Sequence, residues 1–300
     1  MNFIFNIILL FSRLPMRVLY LFSDVIFFVI FYIMRYRTAV VLQNLKNSFP
    51  EKSEAELKTI RKKFYRNFSD YLVETLKAFT VSTTELKVRV QHINRDVFHK
   101  AHAEGKNIIM LTGHIFNWEW FTALATMVPQ SSCRPVYRRM QNAFWDKKIR
   151  SIRNAHGNLS LEAGEVIRDV LKTPNNGDTI YMFVADQTPN HHQVDLGIGF
   201  LNQSTPVFRG YDKLATRMNL QFVYCEMKKV KRGFYQVNYH TIEPDGERFV
   251  ENEVVLKFHK MLENTIKKNP DNYLWSHRKW KYSGLIKSFL KTDSVNKSTA

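Results

Sequence analysis

Leu111-Thr112-Gly113-His114-Ile115-Phe116-Asn117-Trp118-Glu119-Trp120 sets a histidine and a carboxylate five residues apart, directly behind the apolar run of residues 107–111. A short apolar run bounded by glycine reads as a buried strand, and residues 118–127 read as the helix after it. His114 then lies in the turn and Glu119 in the first helical turn. A turn can fold the imidazole back toward a carboxylate, which holds one ring N–H and leaves the other nitrogen as a base. A hydroxyl held against that nitrogen becomes a nucleophile. A histidine near a glutamate is more commonly a surface pair or a satisfied core residue. Two features favour chemistry here: Gly113 permits a tight change of direction, and loops at strand ends are where α/β folds carry their sites.

Outward from this stretch, strand and helix patterns alternate. Residues 107–112, 134–137, 159–161, 179–185 and 221–227 read as strands, and 118–127, 143–156, 164–172, 207–218 and 251–268 as helices. Residues 234–239 form a further strand, paired antiparallel with 221–227 because only a short turn around Lys231-Arg232-Gly233 separates them. Such alternation predicts an α/β fold with a mostly parallel central sheet covered by helices on both faces. Upstream, residues 51–80 are helical in pattern: Leu57, Ile60, Phe64, Phe68, Tyr71, Leu72 and Leu76 recur at three- and four-residue spacing. Ser53 with Glu56 makes a capping box at its start.

The N-terminus has a different character. Residues 1–10 are nearly all apolar, as are 18–34 apart from Ser23 and Asp24, and Arg13, Arg17, Arg35 and Arg37 flank these runs. The second run is at the short limit for a spanning helix, so a monotopic anchor in one leaflet is an equal reading. Asp24 favours shallow burial, and the arginines place the rest of the chain on the cytoplasmic side. The expected organisation is a membrane anchor over 1–37, a catalytic domain over 38–285 and a polar tail over 286–300.

Of 300 residues, 45% are hydrophobic, with 23 Phe and 13 Tyr, a composition suited to handling apolar chains. Cys133 and Cys225 both sit in apolar runs and read as reduced core residues. Lys and Arg outnumber Asp and Glu by 44 to 27, a net charge of +17. Such an excess attracts polyanions, and no nucleic-acid-binding signature is legible. A membrane face or an acidic carrier protein is the expected partner. His191 and His192 lack a third ligand at suitable spacing, so no metal is expected, and no cofactor motif is present.

The block Gly113-His114-x-x-Asn117-Trp118-Glu119 resembles the His-x4-Asp/Glu motif of glycerolipid and lysophospholipid acyltransferases, and most closely that of the bacterial lipid A late acyltransferases. Asn44-Leu45 with Ser48-Phe49-Pro50-Glu51, then Ala185-Asp186-Gln187, then Trp275-x-His277-Arg278-Lys279-Trp280-Lys281 are similar to that family's other blocks, in order along most of the chain. The resemblance implies transfer of an acyl chain from a thioester to a lipid hydroxyl, with His114 as general base and Glu119 as its partner. Arg150-x-x-Arg153 followed by Gly157 is similar to the second block, which implies that an arginine, here Arg153, faces the reacting centre. Arg138 and Arg139 end a strand at the His114 end of the sheet and, with Arg150, are candidates for an acceptor phosphate, because a guanidinium fork binds two oxygens. Asn117, Asp186 and Gln187 are the remaining candidates for substrate binding. Backbone amides near Gly113 and His114 are a candidate source of oxyanion donors, and Phe200 and Phe208 of an acyl cleft.

The expected protein is an acyltransferase on the cytoplasmic face of a bacterial inner membrane. Its donor is acyl-carrier protein rather than coenzyme A, since the carrier is acidic, and its acceptor is a lipid A precursor. Rivals are acylation of another lipid (an amino-acid lipid or a phosphoglycolipid), a hydrolase using the same pair on water, and a non-catalytic basic membrane-binding protein.

Overall fold

The computed structural model describes residues 2–290. Helices α1 (Asn2–Ser12), α2 (Met16–Phe28), α3 (Thr38–Ser48), α4 (Glu54–Lys77) and α5 (Thr83–Arg89) come first, α2 running on through a π-helical turn, Val29–Ile33. The α/β part then runs β1 (Val90–His92), α6 (Asp96–Ala103), β2 (Ile108–Thr112), a 3-10 helix (Trp118–Thr126), β3 (Ser132–Tyr137), α7 (Ala143–Arg153), β4 (Leu161–Glu162), α8 (Val166–Lys172) and β5 (Thr179–Val184). It continues through β6 (Leu196–Phe200), β7 (Gln203–Pro206), α9 (Asp212–Ala215), β8 (Gln221–Lys231), β9 (Phe234–Ile242), α10 (Glu253–Lys268) and β10 (Ser288–Leu290).

Seven strands form the main sheet in the order β1-β9-β8-β2-β5-β3-β4. β8, β2, β5, β3 and β4 are parallel, and the β8–β9 hairpin is antiparallel, as the alternation predicts. β2 is buried at all five positions, so its apolar run needs no alternation: both faces are covered. Cys133 and Cys225 are free and buried in the sheet. The Ser53–Glu56 capping box forms at the start of α4.

Three elements differ from expectation. Residues 118–126 wind as a 3-10 helix rather than an α-helix. Only Asp212–Ala215 of the expected helix 207–218 is helical, because β7 and an irregular loop occupy the ground before it. A second sheet, β10-β6-β7, has no counterpart in the sequence pattern. Its strand β10 pairs with β6, so residues 286–290 pack on the domain instead of belonging to a free tail. The remaining tail, 291–300, lies outside the described residues.

The N-terminal helices lie against the domain. Met16, Leu19 and Phe27 are buried there, and the same turns expose Leu21, Phe22, Val25 and Phe28 on the opposite side. Polar contacts fix α2 to its neighbours: Ser23 Oγ donates to Asp70 (2.8 Å), Tyr20 OH to Glu74 (2.7 Å), and Arg232 from the β8–β9 turn bridges Asp24 and Asp70.

Candidate active site

Parallel strands in register end together, and this places the site. Thr112 of β2 pairs with Val184 of β5, and the Ala185 amide extends the ladder to the Thr112 carbonyl at 2.8 Å. His114 and Asp186 each stand two residues beyond that pair, so they emerge side by side at the carboxyl ends of central strands. His114 Nδ1 lies 2.6 Å from Asp186 Oδ1, which also accepts the His114 backbone amide at 3.1 Å. The expected pairing of His114 with Glu119 is thus replaced by one with Asp186. Sheet register, not closeness in sequence, brings the carboxylate to the ring.

Asp186 is buried and its other oxygen accepts the Tyr273 hydroxyl at 2.9 Å. Burial alone would raise its carboxyl, but His114, Lys279 and Tyr273 together outweigh it and hold the group well below the usual carboxylate range. With an ionised Asp186 accepting at Nδ1, the ring carries its proton there and turns Nε2 away from the carboxylate. Lys279 donates to the Asp186 carbonyl, and burial lowers its ammonium to about 8 despite the nearby carboxylate. His277, at 6.5 Å between ring centroids from His114, is pushed down to about 4 by burial first and by His114 second. Trp118 packs edge-on to the His114 ring at 4.8 Å.

Residues 272–274 stitch the turn in place. The Phe116 amide donates to the Asn272 carbonyl (3.1 Å), Asn272 Nδ2 donates to the Phe116 carbonyl (2.8 Å), and the Leu274 amide donates to the His114 carbonyl (3.2 Å). The amides of His114 and Ile115 are both committed, to Asp186 and to the Gly113 carbonyl, so the expected oxyanion donors there are already used. Gly113 does not have a positive φ; a Cβ at that position would meet Leu262 Cδ1 of α10 at 2.5 Å, so any larger residue there would need the buried Leu262 side chain to shift.

Glu119 faces a different partner. Arg153 grips it with both arms, Nη2 to Oε1 at 2.7 Å and Nε to Oε2 at 3.2 Å, and Trp118 Nε1 adds a third bond at 3.1 Å. Asn117, expected to touch substrate, is fully buried: its oxygen caps the Glu119 amide (3.1 Å) and its NH2 donates to Glu74 (3.0 Å). Arg138, Arg139 and Gln187 line a cleft of about 320 Å³ at the ends of β3 and β5, floored by Phe183, Phe208 and Tyr211. The Tyr211 hydroxyl is buried with no hydrogen-bond partner among the described residues. Phe200, by contrast, is packed in the core against His259. Arg150 points to the Tyr137 hydroxyl at 3.4 Å from an exposed position outside the cleft lining. A smaller pocket of about 50 Å³ holds Glu119 and Arg153 and shares the wall Val136, Phe183 and Val184 with the cleft.

Tyr273 and Glu74 carry no signal in the sequence. Tyr273 lies in an irregular segment just before the Trp275–Lys281 block, and Glu74 lies in an amphipathic helix, in Leu72-Val73-Glu74-Thr75-Leu76, where a lone acidic residue reads as a solvated position. The first and last of the resembling blocks do meet: Asn44 Nδ2 donates to the carbonyls of Trp275 (2.8 Å) and His277 (3.1 Å), and Phe49 packs on Trp275. No cluster of His, Cys, Asp or Glu that would hold a metal occurs among the described residues.

A family model described as bacterial lipid A biosynthesis acyltransferase matches residues 2–282. Among curated proteins the chain is similar to a lipid A biosynthesis palmitoleoyltransferase of Escherichia coli (strain K12), 20% identical over 252 residues, which are 83% of this chain and 80% of that one. It is similar to the same extent to a lipid A biosynthesis acyltransferase of Shigella flexneri, again 20% identical over 252 residues. With the match spanning nearly the whole chain, from the first apolar helix to the lysine-rich block that closes over Asp186, the protein belongs to the bacterial lipid A biosynthesis acyltransferase family.

Proposed function

We propose that the protein transfers a fatty acyl chain from an acyl thioester to a hydroxyl of a lipid A precursor, with His114 as general base held by Asp186. The observation that carries this is the His114–Asp186 contact at 2.6 Å, which uses Nδ1 and leaves Nε2 without a hydrogen-bond partner among the described residues. A lipid hydroxyl is far too weak an acid to attack unaided, and a positioned base lowers that barrier. Nε2 takes the hydroxyl proton as the oxygen adds to the thioester carbonyl. The tetrahedral oxyanion collapses, the C–S bond breaks, and the imidazolium returns its proton to the departing thiolate. Direct transfer needs no acyl-enzyme, and among the described residues the side chains in contact with His114 are Asp186, Trp118 and His277, with no serine or cysteine among them.

Arg153 spends two of its N–H donors on Glu119 and has three left of five, so Glu119 orients a cation whose remaining donors serve the oxyanion. Arg138 and Arg139 at the cleft suit an acceptor phosphate. Acyl-carrier protein is the preferred donor, since a +17 surface steers an acidic partner. The apolar outer faces of α1 and α2 suit monotopic attachment to the cytoplasmic leaflet of the inner membrane. The polar contacts of Tyr20, Ser23 and Asp24 support a helix lying on the domain over one crossing the bilayer.

The test is product analysis with purified protein and a radiolabelled acyl thioester, with and without a lipid A precursor. The label should move onto lipid only with His114 intact, and His114→Ala should lose on the order of 100-fold or more in turnover. Label appearing solely as free fatty acid would make the protein a hydrolase. Near-normal transfer by His114→Ala would remove the assigned base.

A further inference from the structure

Glu74 is a fully buried carboxylate with no cation within 4 Å among the described residues. Burial of this kind is costly, and it pushes the carboxyl up, only partly countered by the hydroxyls of Tyr235 and Tyr20. What surrounds Glu74 is a converging set of donors from three parts of the fold. Oε1 accepts the Tyr20 hydroxyl of α2 at 2.7 Å. Oε2 accepts the Tyr235 hydroxyl of β9 at 2.7 Å and Asn117 Nδ2 at 3.0 Å. Its backbone carbonyl accepts Trp120 Nε1 at 3.0 Å. Asn117 in turn caps the Glu119 amide, and Glu119 holds Arg153. Each link is a hydrogen bond of ordinary length; Asn117, Trp120 and Tyr235 are buried, and Tyr20 is half-buried at the α2 surface of the domain.

We infer that Glu74 is a positioning residue for the Asn117–Glu119 segment, and that it takes its own position from Tyr20 of the apolar N-terminal helix, so that the Glu119–Arg153 pair is fully set only while that helix is docked. This rests on the acyl-transfer reading above. It adds that the helix presenting an apolar face to lipid is wired, through one carboxylate, to the segment holding the oxyanion arginine. Glu74 touches no reacting atom, so its loss should slow turnover and leave substrate affinity nearly alone.

The experiment uses the full chain in phospholipid–detergent micelles with an acyl-carrier-protein thioester and lipid A precursor. Tyr20→Phe removes one hydroxyl and keeps the ring, and should lower kcat about fivefold with KM within twofold. Glu74→Met fills similar volume without an acceptor and should lower kcat at least tenfold. Glu74→Gln can keep an oxygen toward Asn117 while Tyr20 turns to accept, and should recover much of that loss. Ser23→Ala is the control: it cuts another α2–α4 hydrogen bond, a more deeply buried one, that leads to Asp70 rather than Asn117, so it should lower thermal stability and leave kcat unchanged. If Glu74→Met does not fold, the Tyr20→Phe and Ser23→Ala comparison decides alone. Wild-type turnover in Tyr20→Phe, or an equal fall in Ser23→Ala, overturns the inference. Wild type and His114→Ala in the same assay separate the two ideas: if wild type moves no acyl chain onto lipid, the acyl-transfer reading fails, and if His114→Ala stays active, the assigned base fails; if wild type is active and His114→Ala inactive while Tyr20→Phe is normal, only the role of Glu74 fails.

Discussion

Replacing Asp186 by asparagine isolates what the carboxylate contributes to catalysis. The amide fits the buried space, its oxygen can accept from both His114 donors, and its NH2 then faces the Tyr273 hydroxyl, which rotates to accept. Geometry is kept and one negative charge is lost. As the lipid hydroxyl is deprotonated, an imidazolium develops beside that charge. Two unit charges about 4 Å apart at an effective dielectric of about 20 interact by about 4 kcal/mol, which corresponds to roughly a thousandfold in rate. Single-turnover acyl transfer, with KM measured in parallel and near-UV circular dichroism as the folding control, reads this directly. Turnover should fall about 10³-fold with KM within a few fold, the pattern of an interaction strengthened only in the transition state. A folded Asp186→Asn protein within threefold of wild-type turnover would refute the reasoning.

Arg153→Lys keeps the charge but loses the two-armed grip on Glu119, so turnover should drop tenfold or more; full activity in steady-state assays would show that only charge matters there. His92, His259 and His277 are pushed down by burial to about 4, 3 and 4, below the usual 6.5. Between pH 6.5 and those values the unfolded chain binds more protons than the folded one, so stability is complete above about 6.5 and falls as the pH drops toward 4. Urea titrations should show a loss on the order of 2 kcal/mol by pH 5 from fully buried His259, and less from the other two, which keep some solvent contact. A flat profile in His259→Gln equal to wild type would contradict this. The intact protein should stay with anionic vesicles in molar salt and leave in detergent. Leu21→Ser with Val25→Ser, on the exposed side of α2, should release it without lowering Tm, and retention would place attachment elsewhere.

The centre of the main sheet is legible in the sequence because β2 and β5 are apolar runs separated by helical periodicity, whereas the edge strand β1, Val-Gln-His, carries no such pattern and is absent from the expected strands. Nor is the small sheet legible. β6 is interrupted by Gly197 and Gly199, β7 is polar and four residues long, and β10 joins them from some ninety residues away, so neither pattern nor proximity marks them. The site obeys the same rule. His114, Glu119, Arg153 and Asp186 each stand out in local motifs, but their pairing does not, because five residues of separation suggest a contact that strand register gives to a residue seventy-two positions on. An equal two-residue offset past β2 and β5 is the clue the sequence offers. Tyr273 and Glu74 act through long-range hydrogen bonds that no spacing encodes.

The clamp on Asp186 comes from the far end of the chain. Tyr273 and Lys279 lie beyond α10, while α1 and α2, with their exposed apolar faces, come first. A ribosome releases the chain in that order. These helices are thus available early in synthesis, when the segment bearing Asp186 has yet to be made. The histidine gains its carboxylate next and the phenol and ammonium last, after Asn44 has waited for the carbonyls of Trp275 and His277. On the proposed function, a nascent chain would meet the bilayer long before it could modify anything there, and the segment completed last would be the latch that turns the polypeptide into an enzyme.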